Sequence, residues 1–457
     1  MKRKNNNTKY INFRKEYDFF EYQSYEINVE DRKLNIKYNF NLSNKHDFNP
    51  RISFVIPDSF DISEIYKGKL NNLVFNIGMI ELISYWKAAC PKRIIIRPHK
   101  LNLDQVNWWK NLYFNGLGEF FYLNSIIVNQ DDFVDIESFG SSTECDNFNL
   151  DFKKVIVPVG GGKDSIVSLE VLKNAGVDVY PMMLNPNPAR IRTINNADLK
   201  VDNNFVVNRR IDKQLLVLND KGFLNGHTPF SALLGFTNVL LACLNGVGNI
   251  ALSNENSANE STVPGTNINH QYSKSFEFEN NFNYYIVKYI NNKLKYFSFL
   301  RLLNEIQIAY LFSKFPWHFE SFRSCNVGSK EDKWCGSCPK CLFTYLILSP
   351  FLDKKTLIKI FDKELLSDND LIKTLHELSG VSEIKPFECV GTITEVRASI
   401  KNLLLHTEFK TENNILTSVK GLIGDNEISI NELVAAFNDK HNVPERFLQI
   451  LKNAIYD

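Results

Sequence analysis

Neither sign of charge dominates this 457-residue chain. Lys and Arg total 53 against 52 Asp and Glu, for a formal charge of +1. Nucleic-acid binding normally demands a clear basic surplus, so no nucleic-acid partner is expected. No apolar run approaches the roughly 18–20 residues that cross a bilayer. The first nine residues are basic and Asn-rich, but no apolar stretch follows them as a secretory signal requires. They read as the start of a polar tail over 1–24. No internal repeat or low-complexity tract is present. The G-x-G-x-x-G dinucleotide fingerprint and the GKS or GKT ending of a Walker A loop are both missing. Of eight cysteines, Cys335, Cys338 and Cys341 fall within seven residues. A cytosolic chain uses such a group for metal more often than for disulfides. The expectation is a cytoplasmic protein with no membrane partner.

What is present is the texture of a globular chain, 44% hydrophobic and 23% charged. At roughly 100–200 residues per domain it holds two to four domains. Period-two alternation from about Tyr25 to Ile56 predicts half-buried strands. Helical spacing follows over Leu73–Ala89, ended by Pro91, and again over Asp104–Phe114. The acidic, aperiodic stretch 130–150 places a boundary near Ser142–Asn149. Beyond it, Val155–Val159 is a short continuous apolar run of the kind buried parallel strands show. A helix over Ser165–Asn174 and a strand over Val177–Leu184 come next. Leu215–Leu218 and Asn249–Leu252 are further candidate strands. Between those two lies a long apolar helix, with Thr228 as N-cap and Pro229 at its first position. Such alternation predicts an α/β fold with a doubly wound parallel sheet. The expected divisions are an α+β N-terminal domain over 25–148, a nucleotide-binding domain over 149–350 and a helical C-terminal region over 351–457.

Gly160-Gly161-Gly162-Lys163-Asp164-Ser165 separates a predicted strand from a predicted helix. Free N–H groups at a helix start suit a phosphate oxyanion, and glycines let the backbone close on it. Ser165 adds a hydroxyl and Lys163 a cation. An ordinary tight turn is the plain alternative. The string resembles the PP-loop, usually written S-G-G-x-D-S, which holds pyrophosphate while ATP gives AMP to an acceptor. Gly160 stands where the usual leading Ser would be.

Cys325 precedes Cys335 by nine intervening residues, and Cys335, Cys338 and Cys341 follow at two-residue gaps. Four thiolates satisfy tetrahedral Zn²⁺ at roughly 2.3 Å each, which points to a closed structural site. Buried free thiols are the alternative.

These two constellations are similar to the 7-cyano-7-deazaguanine synthase branch of the PP-loop superfamily. Longer strings fit another member better: Val157–Ser165, Gly226–Ala232, Ser253–Glu260, Asn269–Ser275, Trp334–Cys341 and Pro386–Gly391, with Ser84–Lys87 and Leu112–Phe120 upstream. Together they resemble the UDP-N-acetyl-α-D-muramoyl-L-alanyl-L-glutamate epimerases, over roughly Tyr25 to Ala398. The resemblance implies a PP-loop (adenine nucleotide alpha hydrolase-like) fold, ATP, Mg²⁺, structural Zn²⁺ and a UDP-sugar dipeptide as substrate. Adenylation would neutralise the glutamate carboxylate and so acidify its Cα–H.

In that frame the loop 160–165 holds phosphates, with Asp164 as the Mg²⁺ contact and Lys274 at the α-phosphate. Asn254 and Glu255 follow a predicted strand and so face the crevice. His227 and His270 are the candidate Cα acid and base on opposite faces. Cys389 is a further one, because thiols serve as Cα bases in amino-acid racemases. Glu260, Tyr272, Glu388, Arg397, Lys87 and Asn115 are candidate substrate contacts. Three readings stay open beside it: another PP-loop ligase or amidotransferase, a zinc-stabilised scaffold that makes no AMP, and the same chemistry on a different peptidyl carboxylate.

Overall fold

A computed structural model describes residues 3–57, 69–145, 147–199, 204–263, 265–266, 268–325, 327–382, 384–409, 415–424 and 427–456. Its strands are β1 (Phe19–Glu30), β2 (Lys33–Leu42), β3 (His46–Phe48), β4 (Arg51–Val55), β5 (Arg93–Ile96), β6 (Asp135–Ser138), β7 (Asp151–Pro158), β8 (Asp178–Leu184), β9 (Phe205–Arg210), β10 (Val247–Leu252) and β11 (Lys295–Ser298). They join in one mixed sheet ordered β11-β10-β7-β8-β9-β4-β2-β1-β5-β6, with β3 on β2.

The stretch β11-β10-β7-β8-β9 is parallel throughout. Its side chains alternate between two apolar cores. Ile156, Tyr180 and Ile250 enter one, while Val155, Val157, Val179 and Ala251 enter the other. Burial on both faces is why these strands read as continuous apolar runs. From β7 the chain winds outward through β8 and β9, then returns to the other side for β10 and β11. The winding therefore reverses between β7 and β10, and a crevice opens there beyond the strand ends.

Several expectations are corrected. Residues 142–149 do not separate one sheet from another, because β4 pairs with β9 antiparallel and carries one sheet across both halves. The expected tail over 1–24 is structured: a helix spans Asn7–Glu16 and β1 begins at Phe19. Met1 and Lys2 lie outside the described residues. Asn and Lys mask an apolar set at helical spacing, Tyr10, Phe13 and Tyr17, and Phe13 stacks on Phe223 at 4.8 Å. Leu215–Leu218 is not a strand but belongs to a helix, Lys213–Asp220, capped by Asp212. A four-residue apolar run has no period to tell helix from strand. The strand there, β9, lies just before it. The apolar helix runs Phe230–Leu244 with Pro229 as its N-cap residue, so Thr228 does not cap it.

Past β11 the chain enters a short 3₁₀ turn, Phe299–Leu302, that carries Arg301. This guanidinium is wholly buried. It donates to the Glu255 carbonyl at 2.6 Å and to the Lys274 carbonyl, to Ser298 Oγ at 3.1 Å and to Glu279 Oε2 at 3.3 Å. One cation thus fixes the segment after β10 against the segment before the helix Phe276–Tyr289. Removing one partner of a buried charge network typically costs about 3–5 kcal/mol. Arg301→Met should therefore lower unfolding free energy by about that amount in urea titration. Arg301→Lys should recover only a fraction of it, since one ammonium cannot reach two carbonyls and a carboxylate at this spacing.

Candidate active site

The crevice between β7 and β10 is a cleft of about 290 Å³. Gly160, Gly162, Asp164 and Ser165 line one side, and Ser253 and Asn254 line the other. Gly161 adopts φ +83°, a left-handed turn that favours glycine. The helix Lys163–Asn174 then points its N-terminus at the cleft, and no side chain caps it. Its first N–H groups remain for a ligand. Ser165 Oγ donates back to the Gly162 carbonyl at 3.0 Å, closing the turn.

Lys163 departs from its expected role. Its ammonium is buried and pairs with Asp164 Oδ1 and Glu305 Oε2. It offsets carboxylates rather than reaching outward for phosphate. Asp164 is held below the usual carboxylate range because Lys163, with Lys340 and Lys274, outweighs its burial. Glu305 is pushed up by burial and by neighbouring carboxylates, against the pull of Lys163. The cations that do line the cleft are Arg190, Arg323, Lys274 and Lys340, with Asp164 as the acidic member. Arg190 and Arg323 donate to backbone carbonyls. Their charge is therefore left to act on a bound anion. Sequence reasoning missed Arg190, Arg323, Lys340 and Glu305, since only the fold brings them to the loop.

Asn254 is buried and donates to Ser298 Oγ at 3.0 Å. Glu255 is buried and accepts from Ser257 at 3.1 Å. Lys274 Nζ reaches Cys389 Sγ at 3.2 Å and Gln271 Oε1 at 3.4 Å. His270 bonds through Nδ1 to Glu119, a buried carboxylate on the helix Gly118–Leu123, and interacts with Cys389. His227 Nδ1 lies 3.7 Å from the same Glu119 oxygen. The two imidazoles are 4.6 Å apart between centroids. Rings in contact on one carboxylate leave no room for a Cα between them. His227 and His270 therefore do not flank a stereocentre from opposite faces, as the sequence suggested.

Their charges also differ. Burial and the adjacent His270 push His227 down to about 4, so it is neutral at physiological pH. His270 resists burial through Cys389 and Glu119 and rises to about 9. Cys389 would be raised by burial, but Lys274, Lys340 and His270 hold it at about 6. Between those values thiolate and imidazolium coexist. Glu119 was the missed partner here.

The weaker substrate candidates fall elsewhere. Lys87 is buried and donates to Asn225 Oδ1 and the Gly226 carbonyl, so it braces the turn before His227. Asn115 bonds back to Asn111 within its helix. Tyr272 is buried, receives a bond from Asn111 and donates to Glu277. Glu260 pairs with Lys385. Arg397 donates to the Ser379 carbonyl and pairs with Glu427. None of these five lines the cleft. Glu388 lies beside Cys389 in the turn 386–391.

The four cysteine sulfurs gather at 3.5–3.8 Å between neighbours. Tetrahedral S₄ ligation at ~2.3 Å requires sulfurs about 3.75 Å apart. The Gly328 N–H also donates to Cys325 Sγ at 3.1 Å, as it would to a thiolate. The donor set therefore fits a zinc-like ion, and Gly336, at φ +66°, turns the chain between the first pair. Cys325 also lines the cleft, so the metal knot would brace one wall of it.

The MurL N-terminal domain model matches residues 12–299, and the MurL C-terminal domain model matches 321–429. The chain belongs to the MurL family. It is 37% identical over 321 residues to UDP-N-acetyl-alpha-D-muramoyl-L-alanyl-L-glutamate epimerase of a Micromonospora strain, covering 68% of this chain and 70% of that one. The protein of the same name from Xanthomonas oryzae pv. oryzae is 33% identical over 380 residues, covering 80% and 83%. That from Salinispora tropica is 36% identical over 325 residues, covering 70% of each. These are epimerases, and this MurL-family chain is an isomerase. Both family segments build its site. The first carries the loop, Glu119, both histidines and Lys274, and the second carries the cysteine knot and Cys389. Arg301 and Glu305 fall in the interval between them.

Two measurements follow. Purified protein should hold about one zinc per chain by elemental analysis, and Cys338→Ser should lose it and melt lower, by on the order of 10 °C. Alkylation of Cys389 by iodoacetamide, followed by peptide mass spectrometry, should rise with pH through an inflection near 6 rather than the ordinary 9. Lys274→Ala should move that inflection upward, because it removes the nearest opposing cation.

Proposed function

We infer that this protein epimerises the terminal L-glutamate of UDP-MurNAc-L-Ala-L-Glu, using ATP to form an acyl-adenylate and releasing AMP and pyrophosphate. The observation that carries the ATP half is the glycine loop and uncapped helix N-terminus facing a cleft ringed by Arg190, Arg323, Lys274 and Lys340. The substrate half rests on the relatives' names.

A carboxylate resists loss of its α-proton because a second negative charge must build beside the first. Capping it with AMP removes that charge. The loop 160–165 holds the leaving pyrophosphate through backbone N–H groups, in the manner of a PP-loop. Lys274 meets charge at the phosphorus under attack. Asp164 suits Mg²⁺, because its carboxylate lines the cleft and Lys163 engages Oδ1. Bound there, Mg²⁺ would offset phosphate charge. Neutral His227 takes the Cα proton, water on the opposite face returns one and so inverts the centre, and the hydroxide left behind takes the proton from His227. Water finally hydrolyses the activated acyl group, AMP having left with the electron pair of its bond to the carbonyl, and the product departs with a free carboxylate.

Incubation with ATP, Mg²⁺ and the L-Glu nucleotide dipeptide in D₂O tests both halves. Deuterium should enter the glutamate Cα, AMP should form, and pyrophosphate should exchange into ATP only when the dipeptide is present. Turnover to ADP, or inversion without nucleotide, overturns the reading. Lys274→Ala should cut pyrophosphate exchange by about 10²–10³-fold, the usual loss for one transition-state donor.

A further inference from the structure

Cys389 has more partners than a simple proton carrier needs. Glu119 grips His270, His270 and Cys389 influence each other's charge, and Lys274 Nζ approaches the sulfur at 3.2 Å. A carboxylate, an imidazole and a thiol in that order form a nucleophile with an oriented base. The sulfur is half-buried rather than sealed. Lys274 also lines the nucleotide cleft, so Cys389 stands one side chain from the point where adenylation would leave an activated carbonyl.

We propose that Cys389 takes the acyl group from AMP, so that the stereocentre is inverted while the substrate is held as a thioester. This rests on the adenylation reading above. The thiolate lone pair forms the C–S bond, the bond from the carbonyl carbon to the phosphate oxygen breaks, and AMP departs with that electron pair. Sulfur donates less density into a carbonyl than oxygen does, so the Cα–H stays acidic, and the covalent link retains the acyl group through the enolate stage. His227 lies beside His270 and takes the Cα proton. Water on the opposite face returns a proton to Cα and inverts the centre, and the hydroxide left behind takes the proton that His227 holds. Once the thiolate charge is consumed, the imidazolium keeps only Glu119 as an anionic partner, and His270 passes its other proton to the departing phosphate. Neutral His270, oriented by Glu119, then accepts a proton from water as the water oxygen attacks the thioester carbonyl. Collapse breaks C–S, restores the thiolate beside the protonated imidazole of His270 and leaves the product acid, which loses its proton to solvent. The held-down thiol agrees with a resting ion pair ready for the first attack.

The test is acid quenching within the first turnover of wild type with ATP, Mg²⁺ and UDP-MurNAc-L-Ala-L-Glu. Intact-mass and peptide analysis should find substrate minus water on Cys389, removable by neutral hydroxylamine and absent without ATP. Cys389→Ala should lack the adduct and lose epimerisation by about a thousand-fold or more, the scale seen when a nucleophile is removed. Pyrophosphate exchange by wild type is read in the same samples. Exchange with no adduct, or Cys389→Ala epimerising within about ten-fold of wild type, overturns the nucleophile. An adduct without exchange overturns adenylation and leaves the nucleophile standing. Loss of both removes both.

Discussion

The site depends on one buried cation. Arg301 cannot be solvated where it lies, so the chain must bring it acceptors, and it finds them in the backbone of two separate connections. Those connections carry Asn254 and Glu255 on one side and Lys274 on the other. Fixing their carbonyls fixes where their side chains emerge. The same cation meets Glu279, whose other oxygen receives Asn442 from the C-terminal region. An electrostatic need inside the protein thus becomes positional accuracy at its surface.

A comparable logic governs Lys163. Four acidic groups, Asp164, Glu255, Glu305 and Glu395, influence one another beneath the glycine loop. Two of them share the Lys163 ammonium. Glu395 in turn accepts the Glu305 N–H at 2.5 Å and closes its own helix cap at Thr392. A glycine loop built over so much negative charge requires an internal counter-ion. With Lys163 engaged beneath the loop, the outward positive field comes from Arg190, Arg323, Lys274 and Lys340.

What could be read from the sequence was what is local. The glycine loop and the cysteine knot have their partners within a few residues or in a fixed short spacing, so their composition already states their geometry. The parallel strands were legible because burial on both faces leaves an unbroken apolar run. The Glu119–His270–Cys389 relay was only half legible. Both histidines and the thiol drew notice as chemistry, but Glu119 lies 151 residues from His270 and nothing local marks it. Lys163 misled for the same reason, since its direction is set by Glu305, 142 residues away. Tyr272 and Glu260 lie in polar strings that looked like a site, and Arg397 lay just beyond another. In the fold each is satisfied by a neighbour, which is the commoner fate of such residues.

The two ends of the cleft are therefore made differently. The glycine-loop end is mostly main chain: N–H groups at a helix start, a left-handed glycine, and guanidinium groups pinned by carbonyls. Most of its geometry survives side-chain change, which is why its sequence signature is short. The acyl end is side chain throughout, with Glu119, His227, His270 and Cys389 drawn from four distant segments around one shared proton network. Changing any of them alters the charge of the others, so this end carries the particular chemistry. Lys274 belongs to both, lining the cleft with one flank and touching the thiol with its ammonium. In the proposed reaction a cation placed there would meet negative charge on phosphate and on sulfur in turn, and so would couple loss of the nucleotide to the fate of the acyl group.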